Sequence, residues 1–108
     1  MNPLHLLAWF LGGAFLANAV PHLVAGLQGK PLQTPFAHPP GEGLSSSRLN
    51  VLWAFANLVV AWLLLTKVGA FDLRQWSHAL ASGLGALALA LILASRFGRF
   101  NGGASPGA

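Results

Sequence analysis

The 108-residue chain has room for one domain, but 55% hydrophobic and only 7% charged residues, with a mean hydropathy of +0.62, exclude an ordinary soluble one, which carries about a quarter charged residues. Its net charge of +4 rests on Lys30, Arg48, Lys67, Arg74, Arg96 and Arg99, which flank apolar runs instead of forming a stripe; this is how topology charges are distributed, and no nucleic-acid partner is expected. Without cysteine there is no disulfide framework, thiol nucleophile or Cys-based metal site.

No charged residue occurs between Met1 and Gly29, from Leu49 to Thr66, or from Gln75 to Ser95. Each gap reaches or nearly reaches the ~20 residues that cross a ~30 Å hydrocarbon layer. The expected fold is therefore all-α: a three-helix transmembrane bundle with an ordered Pro/Gly-rich loop between helices 1 and 2. Residues 1–97 form its single domain and 98–108 a flexible tail.

Helix 1 is expected over residues 3–27, with Pro3 suited to a first turn and Pro21 kinking the interior, because proline removes a backbone donor and crowds the preceding turn. Ala17-Asn18-Ala19 has the small-x-small form of a signal-peptidase site, but no Lys or Arg precedes the run and Pro21 follows closely, so a retained helix is expected. Residues 28–47 are the loop, and Ser46 or Ser47 is a natural N-cap for helix 2, over 48–68. After Gly69, "AFDLRQW" reads as a short amphipathic return with Trp76 as an interfacial anchor. Helix 3 is expected over 75–97. Three crossings place Lys30, Arg48, Arg96 and Arg99 on one side and Lys67 and Arg74 on the other, favouring a multi-pass protein of the cell membrane with the N-terminus outside and the first loop and C-terminus cytoplasmic.

Polar residues inside lipid are the informative ones. With ~1.5 Å rise per residue, His22 lies roughly 6 to 8 Å and Asn18 roughly 12 to 14 Å deep from the loop side; on helix 2, Asn50 lies near the surface, Trp53 about 7 Å and Asn57 about 13 Å deep. Asn18 and His22 share one helical face, as do Asn50, Trp53 and Asn57. If the faces meet, helices 1 and 2 enclose a polar seam open toward the loop. Either Asn18 and Asn57 simply hydrogen-bond across the interface, or the seam is a small-molecule site, with candidate residues Asn18, His22, Phe36, His38, Glu42, Asn50, Trp53 and Asn57.

On helix 3, Ala79, Gly83, Ala86, Ala90 and Ala94 form a small-residue stripe, with Ser82 and Gly85 beside it; Gly12, Gly13 and Ala17 give helix 1 a smaller one. Such surfaces let backbones approach closely, within the chain or between chains. The four histidines include no pair at i+3 or i+4, so no metal is expected, and no other cofactor is expected either. Asp72 and Glu42 fall on opposite sides, and "GEGLSSS" has neither the Gly-x-Ser-x-Gly elbow nor the Lys of a phosphate loop, so no catalytic residue is assigned.

"NAVPHLVAGLQGKP", "TPFAHPPGEGLSSS" and "NVLWAFANL" together resemble a set of small bacterial integral membrane proteins in which a Pro-His pair ends helix 1, a "PFA…PPG-G-SS" linker follows and an "NVLW" run opens helix 2. The resemblance spans residues 12 to 60 and marks Asn18, Pro21, His22, Pro35, Phe36, Pro39, Pro40, Gly41, Ser45, Asn50 and Trp53; it implies a shared feature and no reaction. The linker itself reads as an ordered cap over the seam, with Pro39 and Pro40 restricting the chain, Gly41 and Gly43 permitting turns, Phe36 in the interface and His38 and Glu42 facing water. The first functional expectation is helix–helix interaction, as a homo-oligomer or as an accessory subunit of a larger membrane complex. The alternative is binding or transport of a lipid, quinone or solute at the loop-side ends of helices 1 and 2.

Overall fold

The computed structural model describes residues 2–107. Three long helices make up most of the chain: α1 (Pro3–Leu27), α2 (Ser47–Thr66) and α3 (Trp76–Asn101), each long and apolar enough to cross a membrane. The longest dimension is 45 Å, which matches a bilayer with its headgroup regions, about 40–45 Å. The protein is thus a small three-helix membrane protein.

Local chemistry sets the helix ends. The Asn2 side chain accepts from the Leu4 amide at 2.9 Å, and Pro3, which has no amide hydrogen to satisfy, takes the first helical position. α1 runs unbroken through Pro21. It closes on Gly29 at φ 69°, with the Lys30 amide returning to the Ala25 carbonyl (2.9 Å) and the Gly29 amide to Gly26 (3.1 Å), the paired bonds of a Schellman stop. Ser46 caps α2 by accepting from the Leu49 amide at 3.1 Å.

Two features differ from expectation. α3 continues past Phe97 to Asn101, and the Ala104 amide returns to the Gly98 carbonyl at 3.2 Å, so residues 98–104 are the end of a helix and its cap rather than tail. A glycine inside a helix costs only about 1 kcal/mol, and Phe97 beside it is in edge contact with His22, at 6.1 Å between ring centroids. Second, the loop contains a minimal antiparallel ladder, β1 (Leu32–Gln33) against β2 (Leu44–Ser45), pairing Leu32 with Ser45 and Gln33 with Leu44. The ladder turns residues 34–43 into a closed excursion.

α1 is the central helix. It packs against both α2 and α3, which scarcely touch each other. Glycines make the close approaches: a Cβ at Gly12 would meet the Leu65 side chain at 2.8 Å, while one at Gly13 would overlap the Ser82 carbonyl and one at Gly85 the Phe10 carbonyl. In lipid, where no hydrophobic force separates helix from solvent, such backbone proximity maximises dispersion contact. The expected α3 stripe contributes only in part: Ala79 and Ala86 are partly buried, but Gly83, Ala90 and Ala94 are exposed, and Gly83 has open space where a Cβ would go. Ser82 and Gly85, beside the stripe, make the close contact with α1, whereas Gly83 borders a hollow between the helices.

Candidate functional site

At the loop end, the polar residues of α1 and α2 meet in two layers. In the deeper one, Asn18 Nδ2 donates to Asn57 Oδ1 at 2.8 Å and Asn57 Nδ2 donates to the Trp53 carbonyl at 2.8 Å. In the upper one, Asn50 is fully buried and its Nδ2 donates to the carbonyls of Leu32 (3.4 Å), Ser45 (3.1 Å) and Ser46 (2.9 Å). With Nδ2 so engaged, Asn50 Oδ1 is the acceptor at 2.7 Å from His22 Nδ1. His22 Nδ1 therefore carries a hydrogen, and the neutral ring presents Nε2 as an acceptor. Asn50 is thus the hydrogen-bond partner of His22.

The loop is tied down from above. Thr34 is buried; its hydroxyl is hydrogen-bonded to the Ser45 hydroxyl and accepts from the Phe36 amide at 3.2 Å, and its carbonyl accepts from the Gly41 amide at 2.9 Å. Gly41 takes φ 76°, a conformation that disfavours any side chain. The Phe36 ring stands edge-on to Trp53, 5.0 Å between centroids. From α3, Arg96 Nη2 donates to the Gly41 carbonyl at 3.3 Å, which brings the C-terminal end of α3 to the same side as the loop.

Between these parts lies a cavity of about 130 Å³, lined by Asn18 and His22 from α1, Trp53 from α2, Leu93, Arg96 and Phe97 from α3, and Gln33, Thr34, Pro35 and Gly41 from the loop. Two of the lining residues each retain a buried polar atom with no partner among the described residues: the acceptor Gln33 Oε1 and the donor Trp53 Nε1. Gln33 is 8% exposed. A buried polar atom left unpaired costs about 1–3 kcal/mol, so two of opposite sense in residues that wall one cavity, each itself closed off from it, are a departure from normal packing.

Of the residues singled out from the sequence, Asn18, His22 and Trp53 line this cavity. Asn50 and Asn57 are buried behind it and bind other protein groups. Phe36 covers Trp53 from outside, and His38 and Glu42 are exposed on the loop, away from the lining. The sequence reading passed over Gln33, Thr34 and Arg96. The alternation of "LQT" around β1 was a faint signal for an inward Gln33, and Arg96 is one helical turn from Leu93 and two from Leu89, on the face that meets α1.

The other end of the bundle is filled by rings. Trp9 is 3% exposed and its Nε1 donates to the Val68 carbonyl at 2.9 Å. Around it stand His78 at 4.2 Å, Phe71 at 5.5 Å and His5 at 5.8 Å between centroids, and His78 Nδ1 accepts from the Asp72 amide at 2.9 Å. Among the described residues no group of three or more His, Asp or Glu side chains is placed to hold a metal ion. The one ion pair among them, Arg74 with Asp72 at 3.5 Å, is exposed.

No protein-family model matches the chain, and neither a curated protein nor a solved structure is similar to it. What stands of the resemblance is three long apolar helices, consistent with a small membrane protein.

Proposed function

We propose that this small multi-pass membrane protein binds a small molecule in the cavity beneath its first loop. The observation that carries the reading is the cavity's mixed polar wall, with Asn18, His22, Thr34 and Arg96 on it and with the buried, unpaired Trp53 indole N–H and Gln33 side-chain carbonyl in two more of its lining residues. A purely structural seam would pair such groups or replace them with apolar ones. With three crossings, the basic residues Lys30, Arg48, Arg96 and Arg99 fall on one side, which supports a cytoplasmic loop.

Substitution of the unpaired atoms tests the proposal, because the two alternatives differ in sign. Gln33→Leu and Trp53→Phe remove the orphan groups while keeping approximate shape. If a ligand pairs them in the membrane, protein purified in mild detergent loses a mass adduct in native mass spectrometry and unfolds more readily than wild type. If nothing pairs them, the variants gain stability, by about 1–3 kcal/mol, and no adduct changes; that result would sink the reading.

A second reading, interaction through α3 with another copy or with a larger membrane protein, is favoured by one observation: α3 is the least buried helix, with only Gly85 and Gly98 buried along it, and Gly83 has open space beside it, in a groove bordered by Gly13, Leu16 and Leu65. Gly83→Leu is expected to leave the monomer folded and to lower the apparent mass of the detergent-solubilised particle. An unchanged particle mass counts against an α3 interface.

A further inference from the structure

Granting the cavity reading above, we propose that its ligand is an anionic phospholipid of the loop-side leaflet whose headgroup carries a hydroxyl. The head sits under Arg96 and one acyl chain lies in a trough on α1. Size is the first argument. About 130 Å³ is well below the ~300–1,000 Å³ of a site that encloses a whole drug-sized molecule, yet it exceeds what one or two waters need. It fits a headgroup.

The rest of such a ligand has somewhere to go. A second hollow of about 270 Å³, walled by Ala14, Phe15, Asn18 and Leu89, shares Asn18 with the cavity. Ala14, Asn18 and His22 follow one another at i, i+4 and i+8 along α1, and Leu89 and Leu93 are four apart on α3, so cavity and hollow succeed each other down the same α1–α3 face. From His22 to Ala14 the trough descends roughly 12 Å at ~1.5 Å per residue, comparable to half of a ~30 Å hydrocarbon core. An acyl chain entering from the interface has that length and direction, and apart from the Asn18 amide the trough is lined by apolar side chains.

The headgroup follows from the donors and acceptors. Arg96 is the charged group on the cavity wall, and among the described residues no carboxylate pairs with it; Glu42, next to Gly41 in sequence, is exposed and forms no ion pair. Arg96 is the donor on the wall suited to a phosphate. His22 Nε2, and Gln33 Oε1 once its side chain turns toward the cavity, are acceptors, and need a hydrogen that a phosphate diester lacks and a hydroxyl supplies. A choline head has no hydrogen to donate and would leave both acceptors unsatisfied, and any cationic head would face a guanidinium.

The test uses the full chain in nanodiscs of phosphatidylcholine and phosphatidylglycerol in equal amounts, released for native mass spectrometry. The expected result is one phosphatidylglycerol held per chain, with a preference over phosphatidylcholine of about fivefold or more, the scale of one basic residue acting at a membrane surface. Arg96→Gln should abolish the preference, Arg96→Lys should keep most of it, and Ala14→Phe, which fills the trough, should reduce retention of both lipids. Arg99→Gln, at an exposed position on the same end, should change nothing. Equal retention of the two lipids by wild type, or a preference that survives Arg96→Gln, overturns the assignment. If that happens while Gln33→Leu still removes an adduct, the cavity binds something else and the proposal above stands without this one; if no variant alters any adduct, both fall.

Discussion

Gly85→Ala should loosen α3 from the bundle, and Gly85→Leu should detach it. A Cβ at this position would overlap the Phe10 carbonyl, which is backbone and cannot rotate aside, so the two helices must separate. Overpacking of this kind costs about 1–3 kcal/mol for the smallest side chain. The loss is amplified because α3 is held almost wholly through α1. Equilibrium unfolding in mixed micelles with increasing anionic detergent measures it. Gly83→Ala, two positions away with no neighbour to meet, is the matched control and should be neutral or stabilising through helix propensity, by up to about 1 kcal/mol. Equal stabilities for the two alanine variants would show that close backbone approach does not hold α3.

The second large effect is expected at Asn50. Its amide reaches three carbonyls and its oxygen receives the His22 ring hydrogen, all within a site that admits no water to the side chain. Asn50→Leu leaves His22 and the Leu32 and Ser45 carbonyls without this partner, at about 1–3 kcal/mol for each buried group that stays unpaired. The damage should be local first. Hydrogen exchange at the amides of Phe36 and Gly41, which depend on the seating of Thr34, should accelerate by orders of magnitude while exchange in the middle of α1 changes little. Asn57→Leu, by contrast, removes an interhelical contact of a kind averaging about 0.6 kcal/mol in membrane proteins. A loop that exchanges at wild-type rates in Asn50→Leu would refute the role assigned to this residue as its anchor.

The helices were legible because long charge-free gaps and terminal signals act locally: Pro3 and Ser46 mean the same thing whatever surrounds them. The match in depth between Asn18 and Asn57 was also readable, since helical rise converts sequence position into height. Chain reversal and cross-bundle contact were not. Gln33 belongs to a two-residue strand whose partner lies in residues 44–45, a pairing no local pattern specifies. Arg96 looked like a topology charge at a helix end, and only its placement beside Gly41 gives it a cavity to face. The small-residue stripe shows the same limit from the other side. Spacing identified a face of α3 on which close approach is permitted, but the rotation of the helix about its own axis decided that Ser82 and Gly85 would use it.

The two ends of the bundle differ in how firmly they are joined. At the far end, Trp9 grips the Val68 carbonyl and is wedged among Phe71 and His78, so α1, the end of α2 and the start of α3 share one aromatic knot. At the loop end, α3 reaches the loop through a single Arg96 contact at 3.3 Å. The C-terminal half of α3 is thus the more loosely tied, and for the ligand proposed above a lateral displacement of α3 there, against its Phe97–His22 contact, would widen the membrane-facing side of the cavity. For that ligand, entry from within the leaflet would need only such a displacement, whereas entry from the aqueous side would require unseating Thr34 and the ladder beneath it.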